Sequence, residues 1–429
     1  MNRRFRGVRV RPLTALQAAA AVAVAVRLAR GRTRLPPLSA ASGTPASPAP
    51  AAGTPASGTP FSGTAAGTGV GAGAGTRAGA GTGEISVVIP ARDEEHRIGA
   101  CLTAVLADPD VAEVIVVDDG SSDGTGRMAA GLGAKVVTGA PLPPGWVGKQ
   151  WALRQGVEAA RGDVVVTLDA DTRPAPGLAG AAARALEHYD LLTAGPRFVC
   201  DGTAEQALHA SFLATLVYRF GPIGPAKPPV PHRTVANGQC TAFRRTAMLE
   251  IDGFARIRGH MTDDVALARS LAAAGWRVGF LEAGGLLEVD MHESAAEVWR
   301  EWGRSLPLRD VTSPGWQAAD LAVVWLAAAL PVMRLAAGRP TRLDLALLAV
   351  RLLLTGALRG SYTRPGPGVL LSPLLDPLTA LRLTQATLRP VRTWRGRTYP
   401  GAATGAGTGA RGVTTDSGPP ARPGRSAAR

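Results

Sequence analysis

The sequence predicts an α/β fold, a mostly parallel sheet sandwiched by helices and followed by C-terminal membrane helices. Three observations lead there. From residue 84, short β-branched apolar runs alternate with segments of helical period over short connections, the pattern of parallel strands with covering helices. Acidic residues gather just after those runs, at the edge where such sheets take their ligands. Beyond Trp316 the chain turns apolar over stretches approaching the length of a bilayer span.

Taken in order, residues 1–35 form a basic leader, with Arg3, Arg4, Arg6, Arg9 and Arg11 ahead of an uncharged alanine-rich run over 13–26. That run is short for a span and suits a signal-peptide core as well; a weak anchor or an unstructured leader is the expectation. Residues 36–83 are almost wholly Ala, Gly, Thr, Ser and Pro, too poor in apolar bulk to offset the entropy of ordering, so a disordered linker is expected. The folded domain is expected over 84–310. Within it, strands are predicted at 85–89, closed by Pro90, and at 114–117, 135–138 and 164–168. Helices are predicted over 98–106 and 149–160, with a weaker one around Met128 and Leu132. From 190 onward the pattern is less regular: 221–236 reads as a proline-rich loop, and a helix begins after Thr262. Transmembrane or interfacial helices are expected over 317–385, with short spans at 321–335 and 343–358. A run at 369–383, broken by Pro373, Asp376 and Pro377, is expected in the interface. The embedded charges Arg334, Asp344 and Arg351 keep open the reading of buried helices in a soluble domain. Residues 400–429 are expected to be disordered.

The formal net charge is +14, and the excess is arginine gathered at the two ends, the second cluster being Arg382, Arg389, Arg392, Arg395 and Arg397. Beside apolar runs such clusters point to anionic lipid headgroups. No stacked-aromatic or zinc-finger pattern accompanies them, so nucleic acid is not an expected partner. Cys101, Cys200 and Cys240 are odd in number and widely spaced, which fits neither a disulfide framework nor a zinc site and indicates a reducing compartment.

The central run 164–168 ends in Asp169-Ala170-Asp171. Side chains alternate along an extended chain, so the two carboxylates face one way and suit a hard divalent cation able to carry a diphosphate. A pair of solvated turn aspartates has the same spelling. Asp118, Asp119 and Asp123 follow the strand at 114–117, where a carboxylate can reach a base or ribose or simply build an Asx turn. Lys149 and Arg154 lie one and about two turns into a helix, within reach of phosphate oxygens. Asp263 and Asp264 precede a helical run, so the acidic pair is expected to cap its N-terminus and favour the dipole. Asp264, with Asp263 beside it, is also the candidate base for an acceptor hydroxyl. His292 and His260 are candidate metal or phosphate contacts.

Four ordered motifs make the segment 84–310 resemble the family 2 glycosyltransferases of GT-A, Rossmann-like fold. They are Val87-Val88-Ile89-Pro90-Ala91-Arg92-Asp93-Glu94-Glu95, Val117-Asp118-Asp119-Gly120-Ser121-Ser122-Asp123-Gly124-Thr125, Leu168-Asp169-Ala170-Asp171-Thr172 and Thr262-Asp263-Asp264. Pro144-Gly145-Trp146-Val147-Gly148-Lys149-Gln150-Trp151-Ala152, Asn237-Gly238-Gln239, 299–305 and the tail blocks 371–377 and 392–399 are similar to membrane-associated bacterial carotenoid or hopanoid glycosyltransferases of the chlorobactene glucosyltransferase type.

The resemblance implies an inverting hexosyl transfer from a nucleotide-diphosphate sugar to a hydroxyl of a membrane lipid. The enzyme would be multi-pass or tightly associated with the cell membrane, its catalytic domain cytoplasmic. It implies Asp264 and Asp263 as catalytic residues. Pro90, Arg92, Asp93, Glu95, Asp118, Asp119, Lys149 and Asp169 would lie at the donor, and Asp171, Asp169 and His292 at a divalent metal, Mg2+ or Mn2+. Asp263 stands where many relatives carry Glu, and the Gln-x-x-Arg-Trp motif of processive synthases is absent, which favours a single transfer. Transfer to a polyprenyl phosphate, polysaccharide synthesis and a non-catalytic membrane scaffold are the alternatives.

Overall fold

A computed structural model describes residues 12–40 and 83–389, and the backbone of 393–394 and 397–398. The arginines before residue 12, most of the expected linker (41–82), Arg392, Arg395 and the expected tail over 400–429 lie outside the described residues. The chain opens with α1 (Pro12–Ala29). Regular alternation follows: β1 (Ile85–Ala91), α2 (Ile98–Leu106), β2 (Glu113–Asp118), α3 (Thr125–Gly131), β3 (Lys135–Thr138), α4 (Gly148–Ala159) and β4 (Val164–Leu168). Next come β5 (Thr172–Pro174), α5 (Leu178–Ala185), β6 (Leu191–Gly195), β7 (Arg197–Phe198), α6 (Thr203–Phe220), β8 (Cys240–Arg244), α7 (Arg245–Glu250), α8 (Asp263–Ala273), β9 (Val278–Glu282) and β10 (Leu287–Val289). A helical region ends the described chain: α9 (Ala295–Ser305), α10 (Pro314–Val324), α11 (Leu330–Ala336), α12 (Arg342–Leu358), α13 (Pro367–Leu371) and α14 (Asp376–Leu388).

The main sheet has seven strands in the order β3-β2-β1-β4-β8-β6-β9. Every neighbouring pair is parallel except the two made by β8, so the mostly parallel, helix-covered sheet is as expected. Both faces of the central strands are covered. Val87 and Ile89 pack beneath α2 and α5 while Val88 packs beneath α4, which is why these strands read as unbroken apolar runs rather than alternating ones. The fit under α4 is close, since a Cβ on Gly156 would lie 2.3 Å from Val88 Cγ1. Pro90 does not close its strand as expected. β1 runs on to Ala91, and it pairs with β4 only through Val88, so no ladder bond is lost on that side at the proline.

Residues 36–40, read as linker, lie against the sheet domain: Leu38 N–H donates to Glu282 O at 2.8 Å, and Leu35 and Leu38 pack on the core. The irregular region after 190 contains the long helix α6. It shows no apolar stripe because it is buried on nearly every side, so no polar face marks its period. The leader run, expected as a weak anchor or unstructured, is the helix α1, packed with α6, α10 and α12 in one apolar cluster.

Two helical stretches are long and apolar enough to cross a membrane, Pro12–Thr33 and Pro314–Ala336. The run at 321–335 falls in the second. The run at 343–358 is α12, at 17 residues slightly shorter than a full span, and 369–383 divides into α13, a tight turn and α14. The embedded charges are paired inside the bundle. Arg351, 1% exposed, donates from Nε to Asp376 Oδ2 at 2.8 Å and from Nη2 to Asp376 Oδ1 at 3.0 Å, while Ser211 of α6 donates to the same carboxylate at 2.8 Å. Asp344 likewise accepts from Gln17 of α1 at 2.6 Å and pairs with Arg334. Leu352 and Leu353 on α12, Leu374 in the turn before α14 and Leu381 on α14 point outward.

Removing one partner of a buried ion pair strands the other. Arg351→Met or Asp376→Leu alone should destabilise the detergent-solubilised protein by about 3–5 kcal/mol, and the double variant should recover most of the lost melting temperature. Single variants that melt with the wild type would show that the pair does not fasten the bundle.

Candidate active site

The C-terminal ends of β1, β2 and β4 meet at one edge of the sheet. Because β8 runs antiparallel, its entry loop reaches that same edge: Asp169 N–H donates to Gln239 O at 3.1 Å, bringing Asn237-Gly238-Gln239 beside the Asp169-Ala170-Asp171 turn. Lys149, in the first turn of α4, points into this junction. Its ammonium lies 2.7 Å from Asp169 Oδ1 and 3.7 Å from Asp263 Oδ2 on α8. Burial alone would depress Lys149, and the Asp169 and Asp263 carboxylates outweigh it, so its pKa is raised and it stays charged. Gly238 N–H donates to Asp264 Oδ2 at 3.2 Å, and a Cβ at Gly238 would lie 3.3 Å from Asp264 Cβ and 3.4 Å from Lys149 Nζ. Only a residue without a side chain fits that gap at ease.

The acidic pair does not itself cap α8. Thr262 is the N-cap, with Asp263 and Asp264 in the first turn, where the helix dipole favours them. The Thr262 hydroxyl makes no capping bond either; it donates to Asp310 Oδ1 at 2.7 Å, and Asp310 Oδ2 accepts Met261 N–H at 2.8 Å and Thr262 N–H at 3.0 Å. From α4, Gln150 donates to His260 O at 2.5 Å, and from α8 the buried Arg269 donates to Thr234 O and Val311 O. These contacts fix the start of α8 against the sheet edge. Asp310 belongs to no motif in the sequence, and nothing local in the chain marks a carboxylate that serves a turn in another segment.

One cavity of about 1390 Å³ contains this junction. Of the expected site residues, Pro90, Arg92, Asp119, Lys149, Asp169, Asp171, Asp263, Asp264 and His292 line it. Asp93, Glu95 and Asp118 do not line it. Their carboxylates lace the loops after β1 and β2: Asp93 accepts Ser122 N–H at 2.7 Å, Glu95 accepts Gly124 N–H at 3.0 Å and Asp118 accepts Ser121 N–H at 2.8 Å. Asp93 holds φ at 53°, a conformation such local bonds help to sustain. The lacing steadies Arg92, whose Nη1 donates to Asp119 O at 2.6 Å. Arg154 pairs with Glu158 and Asp252, away from the cavity wall. His260 lines the cavity with Nδ1 3.6 Å from Asp310 Oδ2.

Asp171 is pushed up to about 7 by burial, then by Asp169 and Glu94. Asp264 is also pushed up to about 7, by burial and then by Asp263. Asp171 Oδ1 is buried without a hydrogen-bond partner, a costly condition that a divalent cation would relieve, so the Asp169 and Asp171 pair fits a metal. His292 lines the same cavity, its Nε2 buried without a hydrogen-bond partner beside Trp302 and His209; burial pushes it down to about 4, which keeps the imidazole neutral, the form that binds a metal. Among the described residues no three His, Cys, Asp or Glu side chains are gathered to cage a metal.

Asp310 allows a direct check of this scaffold. Burial would raise its carboxyl, but the nearby His260 ring and the hydrogen bonds from Thr262 win and bring it down to about 2. A folded-state value below the unfolded one contributes stability that is complete above about pH 4 and lost as pH falls toward about 2. Asp310→Ala should therefore lower stability at neutral pH by about 1–3 kcal/mol, with the deficit shrinking below pH 4 in melting curves. A deficit independent of pH would assign Asp310 a packing role only.

Residues 86–251 match the family model for Glycosyl transferase family 2. A glucosyl-3-phosphoglycerate synthase of Mycolicibacterium paratuberculosis is 45% identical over 92 residues, 20% of this chain and 28% of that protein. A 4,4'-diaponeurosporenoate glycosyltransferase of Staphylococcus aureus is 41% identical over 88 residues, 20% of this chain and 24% of that protein. The chain thus matches these relatives over about a quarter of their length. Among solved structures, glucosyl-3-phosphoglycerate synthase of Mycobacterium tuberculosis, in complex with Mn2+, UDP and glucosyl-3-phosphoglycerate, is similar with a TM-score of 0.34 and 24% identity, over 52% of this chain and 78% of that one. A mannosyltransferase of Pyrobaculum calidifontis in complex with GDP-Man and Mn2+ is similar with a TM-score of 0.44 and 18% identity, over 72% and 87%. The matched segment carries every strand-end residue of the cavity from Pro90 to Asp171, and that half of the site is a glycosyltransferase family 2 domain.

Proposed function

We propose that this protein transfers one sugar, with inversion, from a nucleotide-diphosphate sugar to a hydroxyl of a membrane lipid. The observation that carries the reading is the Lys149 ammonium spanning Asp169 at the strand ends and Asp263 on α8, with Asp264 beside it and the orphaned Asp171 oxygen in the same cavity. A leaving-group side and an acceptor side are thereby joined. Arg92 and Asp119 would hold the nucleotide, and Lys149 would meet the diphosphate oxygens. A divalent cation on Asp171 and Asp169 would offset the negative charge that grows on the departing diphosphate.

Asp264 would act as the base. The acceptor oxygen forms a bond to the anomeric carbon as the bond from that carbon to the diphosphate oxygen breaks, and the hydroxyl proton passes to Asp264. Attack on the face opposite the leaving group inverts the centre, and the nucleoside diphosphate departs with the bonding pair. The two apolar helical stretches and the outward leucines of α12 and α14 support an acceptor held in the membrane, and the Staphylococcus relative is named for a carotenoid acid. Free, buried Cys101, Cys200 and Cys240 agree with a cytoplasmic catalytic face. A second reading, transfer to a phosphorylated acceptor, draws on Arg300, Arg304 and Arg309 in the cavity wall.

Membranes supplied with labelled nucleotide sugars should yield a labelled lipid identifiable by mass. Asp264→Asn should reduce that transfer by about 100-fold or more, whereas an acceptor phosphate, already anionic, needs no base and would leave turnover nearly intact. Since Asp264 must be ionised and is held up to about 7, the wild-type rate should climb as pH rises through about 7 and level above it; a rate falling over that range would remove Asp264 as the base. Asp171→Ala should abolish Mn2+-dependent donor hydrolysis and the rise in melting temperature on adding Mn2+. Retention of both would exclude Asp171 as a metal ligand.

A further inference from the structure

We infer that the cavity has an apolar arm that takes the hydrocarbon chain of the acceptor, walled by one face of α6 and entered between the C-terminal ends of α1 and α12. The inference rests on the lipid-acceptor reading above and adds where the chain of that lipid lies. At about 1390 Å³ the cavity exceeds the roughly 300–1,000 Å³ of a small-ligand site, which leaves room for a second reactant beside the donor.

From Glu205 to Phe220, α6 is buried at every position except Leu213, Leu216 and Val217. Those three and Phe220 are spaced i, i+3, i+4 and i+7, so they share one helical face, and all four line the cavity. The stripe extends about 10 Å along the helix. On one flank Leu216 and Phe220 pack with Val265, the residue after Asp264. On the other, Leu213 and Val217 join the cluster of Leu28 from α1 and Leu354 and Leu358 from α12, which also line the cavity.

Exposed Ala357 and Gly360 also line the cavity, and Val26 on α1 and Leu352 and Leu353 on α12 face outward. A chain entering there passes from the membrane-facing surface across the α6 stripe, from its Leu213 and Val217 flank to its Leu216 and Phe220 flank, toward the base. Leaving an uncharged stripe accessible within an otherwise buried helix is unfavourable in water, and a hydrocarbon of extended shape would cover it. The first eleven residues of this chain carry five arginines and are a poor occupant for such an arm.

The test uses the full chain in detergent. Sugar transferred to hexadecanol and sugar released to water are measured in the same sample, so loss of folded protein cancels from their ratio. Leu216→Trp fills the arm and should lower the ratio of glycolipid to free sugar by about tenfold or more. An unchanged ratio would overturn the inference. Independently, hexadecanol bearing a diazirine at mid-chain should photolabel wild-type protein within 213–220 or at Leu354 and Leu358; labelling confined to the outward Leu352 and Leu353 would overturn it even where Leu216→Trp yields no folded protein. Absence of donor hydrolysis in the wild type would instead defeat the proposed glycosyl transfer, whatever the labelling pattern.

Discussion

Asp169 and Asp263 belong to elements far apart in the chain, and the carboxylates of Asp169, Asp263 and Asp264 would repel one another in a half-buried cavity without a cation among them. Lys149 supplies that charge. Its side chain leaves the first turn of α4, which is itself pressed against β1 and β2 at a glycine contact, so the ammonium is delivered from a rigid support rather than a loop. The same ion set explains why Asp171 and Asp264 are both raised: each faces a neighbouring acid in a place poor in water, and Lys149 offsets only part of that field.

The antiparallel insertion of β8 follows the same constraint. A strand entering from the ligand edge delivers its preceding loop to that edge, and so Asn237-Gly238-Gln239 arrives between the strand-end aspartates and α8. The loop is anchored on its far side as well. Arg233 pairs with Asp320 of α10 at 2.8 Å, and the same Asp320 lies 3.6 Å from Arg219 of α6. The helical region and the cavity wall are thus one connected body, with α6 common to both: its Ser211 bonds into the Arg351–Asp376 pair while its Leu216 and Phe220 face the site.

Much of the strand framework was legible from the chain, because a strand buried on both faces writes itself as an uninterrupted β-branched run. That acids follow the central strand was legible too, but β4 stops at Leu168 and Asp169 and Asp171 lie in the turn after it, so strand alternation is not what sets their directions. Three features were not legible. The helix α6 has little polar face and so no visible period. Asp93, Glu95 and Asp118 look like ligand carboxylates in the sequence, yet each accepts a loop N–H, Asp93 and Glu95 from the neighbouring loop after β2 and Asp118 from its own. His292 sits edge to face with Trp302 and His209, and an aromatic environment is invisible to a reading that knows only chain neighbours.

The sequence by itself determined the alternation of strand and helix, the strand-end acids and the apolar stretches beyond Trp316, because all three are properties of contiguous residues and their period. Only the tertiary structure decided which acids share a cavity, that α1 joins helices over three hundred residues away through Gln17 and Asp344, and which apolar residues of α6 are left accessible. These depend on contacts between segments distant in the chain, and no local pattern encodes the partner of a side chain that lies elsewhere.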